Sequence, residues 1–74
     1  MPRLAHLIDE YNRTKRQAGE PVMTQGRLAQ LVGVSRVTVS NHARGRSEPL
    51  VTTVLAYARV LGVTVEELVS DAAA

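Results

Sequence analysis

Thr24–Gly45, TQGRLAQLVGVSRVTVSNHARG, is the stretch whose reading decides the fold. It reads as two short helices joined by a tight turn. The Thr24 hydroxyl is placed to accept from backbone N–H groups of the first helical turn. Leu28, Leu31 and Val32 follow at i, i+3, i+4, the spacing of one helical face. Gly33 is the residue most tolerant of positive φ, so the chain can leave the first helix sharply there, with Val34 dropping back into the core. Ser35 caps the next helix, which runs from Arg36 to about Arg44 and is stopped by Gly45. Its inward residues are expected to be Val39, His42 and Ala43. Arg36, Val37, Ser40, Asn41 and Arg44 are then left pointing outward together, a polar and cationic face that no core requires.

These residues carry a resemblance. Thr24, Gln25, Leu28, Ala29, Gly33, Val34, Ser35, Val39, Ser40 and Gly45 match the pattern of the Cro and lambda-repressor type (XRE-like) helix-turn-helix family. The similarity continues through Pro49, Val51, Thr53, Val54, Leu55, Ala58, Leu61, Gly62, Val63, Thr64, Glu66, Glu67 and Leu68, the family's two following helices at their usual spacing. It covers nearly the whole chain. The resemblance implies an all-α, compact five-helix lambda-repressor-like DNA-binding domain, spanning residues 1–74 as one unit with the helix-turn-helix at 24–45.

Composition is compatible with this and excludes other classes. Seventy-four residues fit one domain near the lower size at which a core holds without staples. The chain has no cysteine, so disulfides and thiolate metal sites are excluded. Phe and Trp are absent and Tyr11 and Tyr57 are the only aromatics, so the stacking platforms that bind single-stranded nucleic acid are missing. The net charge of +2 says little until it is mapped. Residues 24–46 hold Arg27, Arg36, Arg44 and Arg46 with no acid, whereas residues 47–74 hold Arg59 against Glu48, Glu66, Glu67 and Asp71. A cationic middle on a motif built to enter a groove points to phosphate.

The rest of the chain reads as helix and connector. Leu4, Leu7, Ile8 and Tyr11 form one stripe of an amphipathic helix from Arg3 to Ala18, ended by Gly19. The N-terminal segment MPRLAHLIDE meets charge almost at once, which argues against a signal peptide or membrane span and for a cytoplasmic protein. His6 with Asp9 and Glu10 has a spacing that could hold a metal, but it is read as a solvated helix surface, and neither a metal nor a cofactor is expected. Met23 is expected to tuck into the core before the Thr24 cap. A fourth helix runs from about Leu50 to Leu61 with Val51, Val54, Leu55, Ala58 and Leu61 inward. Thr64–Glu67 has the form of a capping box for a short last helix carrying Leu68, and Asp71 with the terminal alanines is expected to fray. No carboxylate pair lies in an expected pocket and no phosphate-cradling glycine loop is present, so the chain is read as a non-enzyme.

By the resemblance, the Arg36–Arg44 helix lies in the major groove of double-stranded DNA. Arg36, Val37, Thr38, Ser40 and Asn41 are then candidates for base contact. Arg36 can fork onto guanine, Asn41 can pair with adenine, and Val37 can meet a thymine methyl or, alternatively, lie half-buried against the turn. Thr24, Gln25, Arg27, Arg44 and Arg46 are the phosphate-contacting candidates, helped by the positive end of the helix that starts at Gln25. Gly26 beside them either admits the DNA backbone closely or is a neutral surface glycine.

Three departures from the family pattern stand out. Ala43 replaces an acid that usually pairs with a base of the first helix, so Arg13 and Arg16 inherit no role. His42 stands where a larger apolar residue is usual and is read as a packing histidine. Leu50 stands where a serine cap is usual, so that either Ser47 caps instead or the helix end is loosely satisfied.

The resemblance implies a transcription regulator, a repressor that binds a palindromic operator as a dimer. An antitoxin, with a toxin partner, or a restriction-modification controller shares the domain. A helical protein-interaction adaptor is the reading from another class, and Arg36, Asn41 and Arg44 argue against it. One helix offers roughly two or three base contacts of ~1–3 kcal/mol each, short of the ~4–10 kcal/mol gap of specific binding, hence the homodimer. Its interface is expected on the C-terminal helices, where Tyr57, Val60, Val65 and Val69 leave more apolar surface than one small core takes; the competing reading is that these residues, Tyr57 and Val65 above all, complete the monomer core.

Overall fold

The computed structural model describes Met1 and residues 3–69. Five helices and no strand occur among them: α1 Leu4–Gln17, α2 Gln25–Val32, α3 Arg36–Ala43, α4 Val51–Leu61 and α5 Val65–Val69. The expected fraying of Asp71 and the last alanines lies outside the described residues. α2 packs chiefly on α3 and α4, α5 packs on α4, and α1 lies across α3 and α4. This is the all-helical architecture expected from the 3.6-residue periodicities.

The core contains one side-chain set from each helix. Leu4, Leu7 and Ile8 enter from α1, Leu28 and Ala29 from α2, Val39 from α3, Val54, Tyr57, Ala58 and Leu61 from α4, and Leu68 from α5. Met23 is buried just before the Thr24 cap, as its apolar side chain at a helix entry requires. The capping box forms: the Thr64 N–H donates to Glu67 Oε1 at 3.1 Å and the Glu67 N–H donates to Thr64 Oγ1 at 3.1 Å. Two orphan amides at the start of a five-residue helix are thereby satisfied within the turn.

Three expectations about inward faces are corrected. Leu31 is not on the buried face of α2 and stands 46% exposed. Two residues apart on a helix point about 160° away from each other, so a helix that buries Ala29 must turn Leu31 out. Ala29 is small enough for neighbouring backbone to approach, and the packing selects it. The same geometry decides α4, where Tyr57 is fully buried and Leu55, two residues away, is half exposed. Val51, at the first turn of α4, is also exposed. Tyr57 can go inward because its hydroxyl has a buried partner in His42, so the larger side chain fills the core without an orphaned polar group. Finally, no side chain caps α4: Leu50 is its N-cap residue and Ser47 does not substitute.

Burial of Tyr57 also removes the centre of the dimer surface expected on the C-terminal helices. Val60 and Val65 are partly buried against the same core, which leaves Val69 as the exposed member of that group.

A buried polar residue that sequence reading passed over ties α1 to the motif. Asn12 is 8% exposed; its Nδ2 donates to the Met23 carbonyl at 2.8 Å, and its Oδ1 accepts from the Met23 N–H at 2.6 Å. One side-chain amide thus pairs both backbone groups of the residue that precedes the Thr24 cap, and holds the connector where α2 begins.

Candidate nucleic-acid interface

The interface is built on two caps and a glycine. Thr24 has extended backbone, and its Oγ1 accepts from the Arg27 N–H at 3.0 Å, which starts α2 at Gln25. Gly33 adopts φ 89°, a conformation a β-carbon would strain, and lets the Val34 N–H return to the Ala29 carbonyl at 3.0 Å. Ser35 then caps α3, its Oγ accepting from the Thr38 N–H at 3.0 Å and lying 2.8 Å from the Thr38 hydroxyl. α3 is therefore launched at a defined angle from α2 by local bonds within fifteen residues.

At its far end, the Gly45 N–H donates to the His42 carbonyl at 3.2 Å and the Arg46 N–H donates to the Asn41 carbonyl at 2.9 Å. That pair of bonds, with Gly45 at φ 73°, closes the last turn and fixes the chain that carries Arg44 and Arg46. Both arginines are exposed, at the negative end of the α3 dipole.

The inner side of α3 is anchored by Val39 and His42. Val39 is fully buried. His42, 5% exposed, brings Nδ1 to 2.8 Å from the Tyr57 hydroxyl, and the two rings meet edge to face with centroids 5.8 Å apart. Burial, reinforced by the chain's amino terminus and opposed by Glu48, holds the imidazole below its ordinary value. Burial likewise pushes the Tyr57 phenol up to about 12. Both rings are thus neutral around pH 7, and the pair pins the outer helix to α4 without a buried charge. His42 is the packing histidine expected, with a hydrogen-bond partner that sequence reading had not supplied.

The outward side of α3 presents the candidates together. Arg36 and Arg44 are exposed, Val37 is 68% exposed, and Thr38, Ser40 and Asn41 are partly buried. The exposure of Val37 rules against its lying half-buried in the turn. Thr38 engages its hydroxyl in the Ser35 cap, so its first partner lies within the chain. Thr24, Gln25 and Arg27 are exposed at the start of α2, and the Thr24 hydroxyl, already an acceptor, retains its proton for a further partner.

Gly26 lies beside them. A β-carbon there would meet Arg36 Cδ at 3.7 Å and Thr24 Oγ1 at 4.0 Å, which is ordinary contact. The aliphatic stem of Arg36 therefore lies over the first turn of α2, and nothing inside the protein demands glycine at that position.

Charge pairing separates the basic groups. Among the described residues, ion pairs join Lys15 to Glu20 at 3.7 Å and the Met1 amino group to Glu48 at 3.5 Å, His6 Nε2 lies 3.0 Å from Glu10 Oε1, and no arginine takes part in an ion pair. The position on α1 that faces the motif is Asn12, while Arg13 and Arg16 are exposed.

No group of histidines, cysteines and carboxylates with metal-binding geometry occurs among the described residues, and no helix there is long and apolar enough to cross a membrane. Comparison with curated proteins and with solved structures returns no match. A family model described as helix-turn-helix matches residues 23–68, more than half of the chain and the segment from Met23 through Leu68 that carries the caps, the turn and the anchored outer helix. With that match and this geometry in agreement, the chain belongs to the Cro/C1-type (XRE-like) helix-turn-helix family of DNA-binding transcription regulators.

Proposed function

We propose that the chain is a sequence-specific repressor that binds an inverted-repeat operator as a homodimer, with α3 in the major groove. The observation that carries this reading is the arginine set around α3: Arg27, Arg36, Arg44 and Arg46, exposed, with no acid between residues 24 and 46 and no ion pair among the described residues. Exposed cations with no acid beside them raise a positive potential over this surface, which is favourable against phosphate. Arg36, Val37, Ser40 and Asn41 read base edges; Thr24, Gln25, Arg27, Arg44 and Arg46 hold phosphates on either side. Two copies supply the base contacts that one short helix lacks.

Titration of a duplex across a salt series tests the electrostatic half of this reading. Each neutralised phosphate contributes roughly −0.9 to the log–log slope, so Arg27, Arg44 and Arg46 together predict about −2.7 per copy. A folded chain that fails to bind duplex at low salt refutes it. Selection of bound duplexes from a random pool tests the rest. Arg36→Ala and Asn41→Ala are each expected to relax preference at one base pair, while Arg44→Ala weakens all sequences alike and flattens the slope by about one unit. The reverse pattern would overturn the assignment of roles along α3.

A further inference from the structure

Of the large apolar side chains between residues 24 and 46, Val37 is the most exposed, at 68%. Single exposed apolar residues are common on protein surfaces, so exposure alone decides nothing; the place of this one does. Val37 stands in the first turn of α3, the end that reaches base edges when such a helix enters the major groove. The aliphatic stem of a neighbouring arginine could shield it. The stem of Arg36, however, is turned onto the first turn of α2, with its Cδ 3.7 Å from where a β-carbon at Gly26 would stand. On the other side Thr38 is held in the Ser35 cap, the two hydroxyls 2.8 Å apart. One turn on, Ser40 and Asn41 are short and polar. Val37 is left as a bare apolar spot on a cationic, hydrogen-bonding face.

The floor of the major groove offers such a spot one kind of apolar partner, the methyl group at C5 of a pyrimidine; the other groups presented there are hydrogen-bond donors and acceptors. Against those an isopropyl group displaces water and forms no bond in return. Thymine carries the C5 methyl and cytosine does not, but 5-methylcytosine carries it at the same place. We infer that Val37 makes the chain a sensor of pyrimidine C5 methylation, which accepts thymine or 5-methylcytosine beneath this residue and discriminates against unmethylated cytosine. The inference deepens the proposed function and rests on α3 lying in the major groove. Taking one methyl-sized group out of water is worth about fourfold in affinity per half-site, or roughly sixteenfold over the two half-sites of a homodimer.

The test reads the methyl group on the DNA side first, where no change to the protein is needed. In a duplex recovered by selection, each thymine of the half-site is replaced in turn by uracil, which pairs identically and lacks only the methyl. At one position the exchange is expected to weaken wild-type binding by about fourfold per half-site and to have no effect on Val37→Ser. Val37 is exposed, so that variant is expected to keep its melting temperature. At the same position cytosine and 5-methylcytosine, each opposite guanine, are then compared. Those two duplexes share every donor and acceptor, so their ratio reports the methyl alone even where the new base pair lowers both affinities. The methylated duplex is expected to bind the wild type more tightly by the same factor and to bind Val37→Ser no better than the unmethylated one.

The absence of any position with a Val37-dependent uracil effect, a methyl effect that survives in Val37→Ser, or indifference to cytosine methylation at that position overturns the inference and leaves the DNA-binding reading standing. A folded chain that binds no duplex at low salt refutes the proposed function, and the inference falls with it.

Discussion

Replacing Tyr57 by Phe removes one oxygen from the centre of the molecule and leaves the ring in place. Tyr57 is fully buried and His42 is 5% exposed, so no solvent is at hand to replace the lost partner of His42 Nδ1. In either tautomer that nitrogen is left with an unmet donor or acceptor, and such an orphan costs ~1–3 kcal/mol. The edge-to-face ring contact and the apolar burial are retained, so little else changes. A domain of 60–100 residues loses about 4–8 °C of melting temperature per kcal/mol, which predicts a fall of roughly 4–24 °C.

Thermal and urea denaturation measure the loss directly. The double variant His42→Leu with Tyr57→Phe removes both polar groups, so it is expected to cost less than the sum of its parts by about 0.5–3 kcal/mol. An unchanged melting temperature and urea midpoint for Tyr57→Phe, or strict additivity in the cycle, would refute the view that this bond anchors α3 to α4.

The same pair sets a pH window. His42 is held below its ordinary value of 6.5 in the folded chain, so the unfolded state takes up the proton first and stability is lost as pH falls through about 6.5 and below. Tyr57, raised from 10.0 to about 12, keeps its proton when folded, so stability is lost as pH rises from 10.0 toward 12; Tyr57→Phe is expected to remove that alkaline arm in a pH series of urea midpoints. Asn12→Ala strands both the N–H and the C=O of Met23, and denaturation is expected to show a cost of about 2–4 kcal/mol; a loss under 1 kcal/mol would mean that water replaces the amide. Gly26→Ala has room for its methyl group and gains helix propensity, so it is expected to stabilise the fold by roughly 0.5–1 kcal/mol. If DNA approaches α2 closely at this point, the same variant binds duplex more weakly despite being more stable, and unchanged affinity would make Gly26 a neutral surface residue.

Much of the motif was legible in the chain because its bonds are local. The Thr24 and Ser35 caps, the positive φ of Gly33 and the Thr64–Glu67 box each depend on groups within a few residues of one another, so residue type and spacing suffice to name them. The outward set on α3 was legible for a related reason: Val39 and His42 define the buried side, and the rest of an eight-residue helix has nowhere else to point.

Three features were decided by tertiary structure alone. The α4 segment VTTVLAYARVL is apolar on most sides, so periodicity permits either Leu55 or Tyr57 inward, and the choice fell to a hydrogen bond with His42, fifteen residues earlier. Ala29 excluded Leu31 from the core because helices pack most closely over small side chains, a preference that needs both helices to be present. Asn12 reads in sequence as one more polar residue of an amphipathic helix; its role appears only when folding brings the Met23 backbone within 2.6–2.8 Å, since a polar side chain is buried where it can satisfy groups that the chain brings to it from elsewhere.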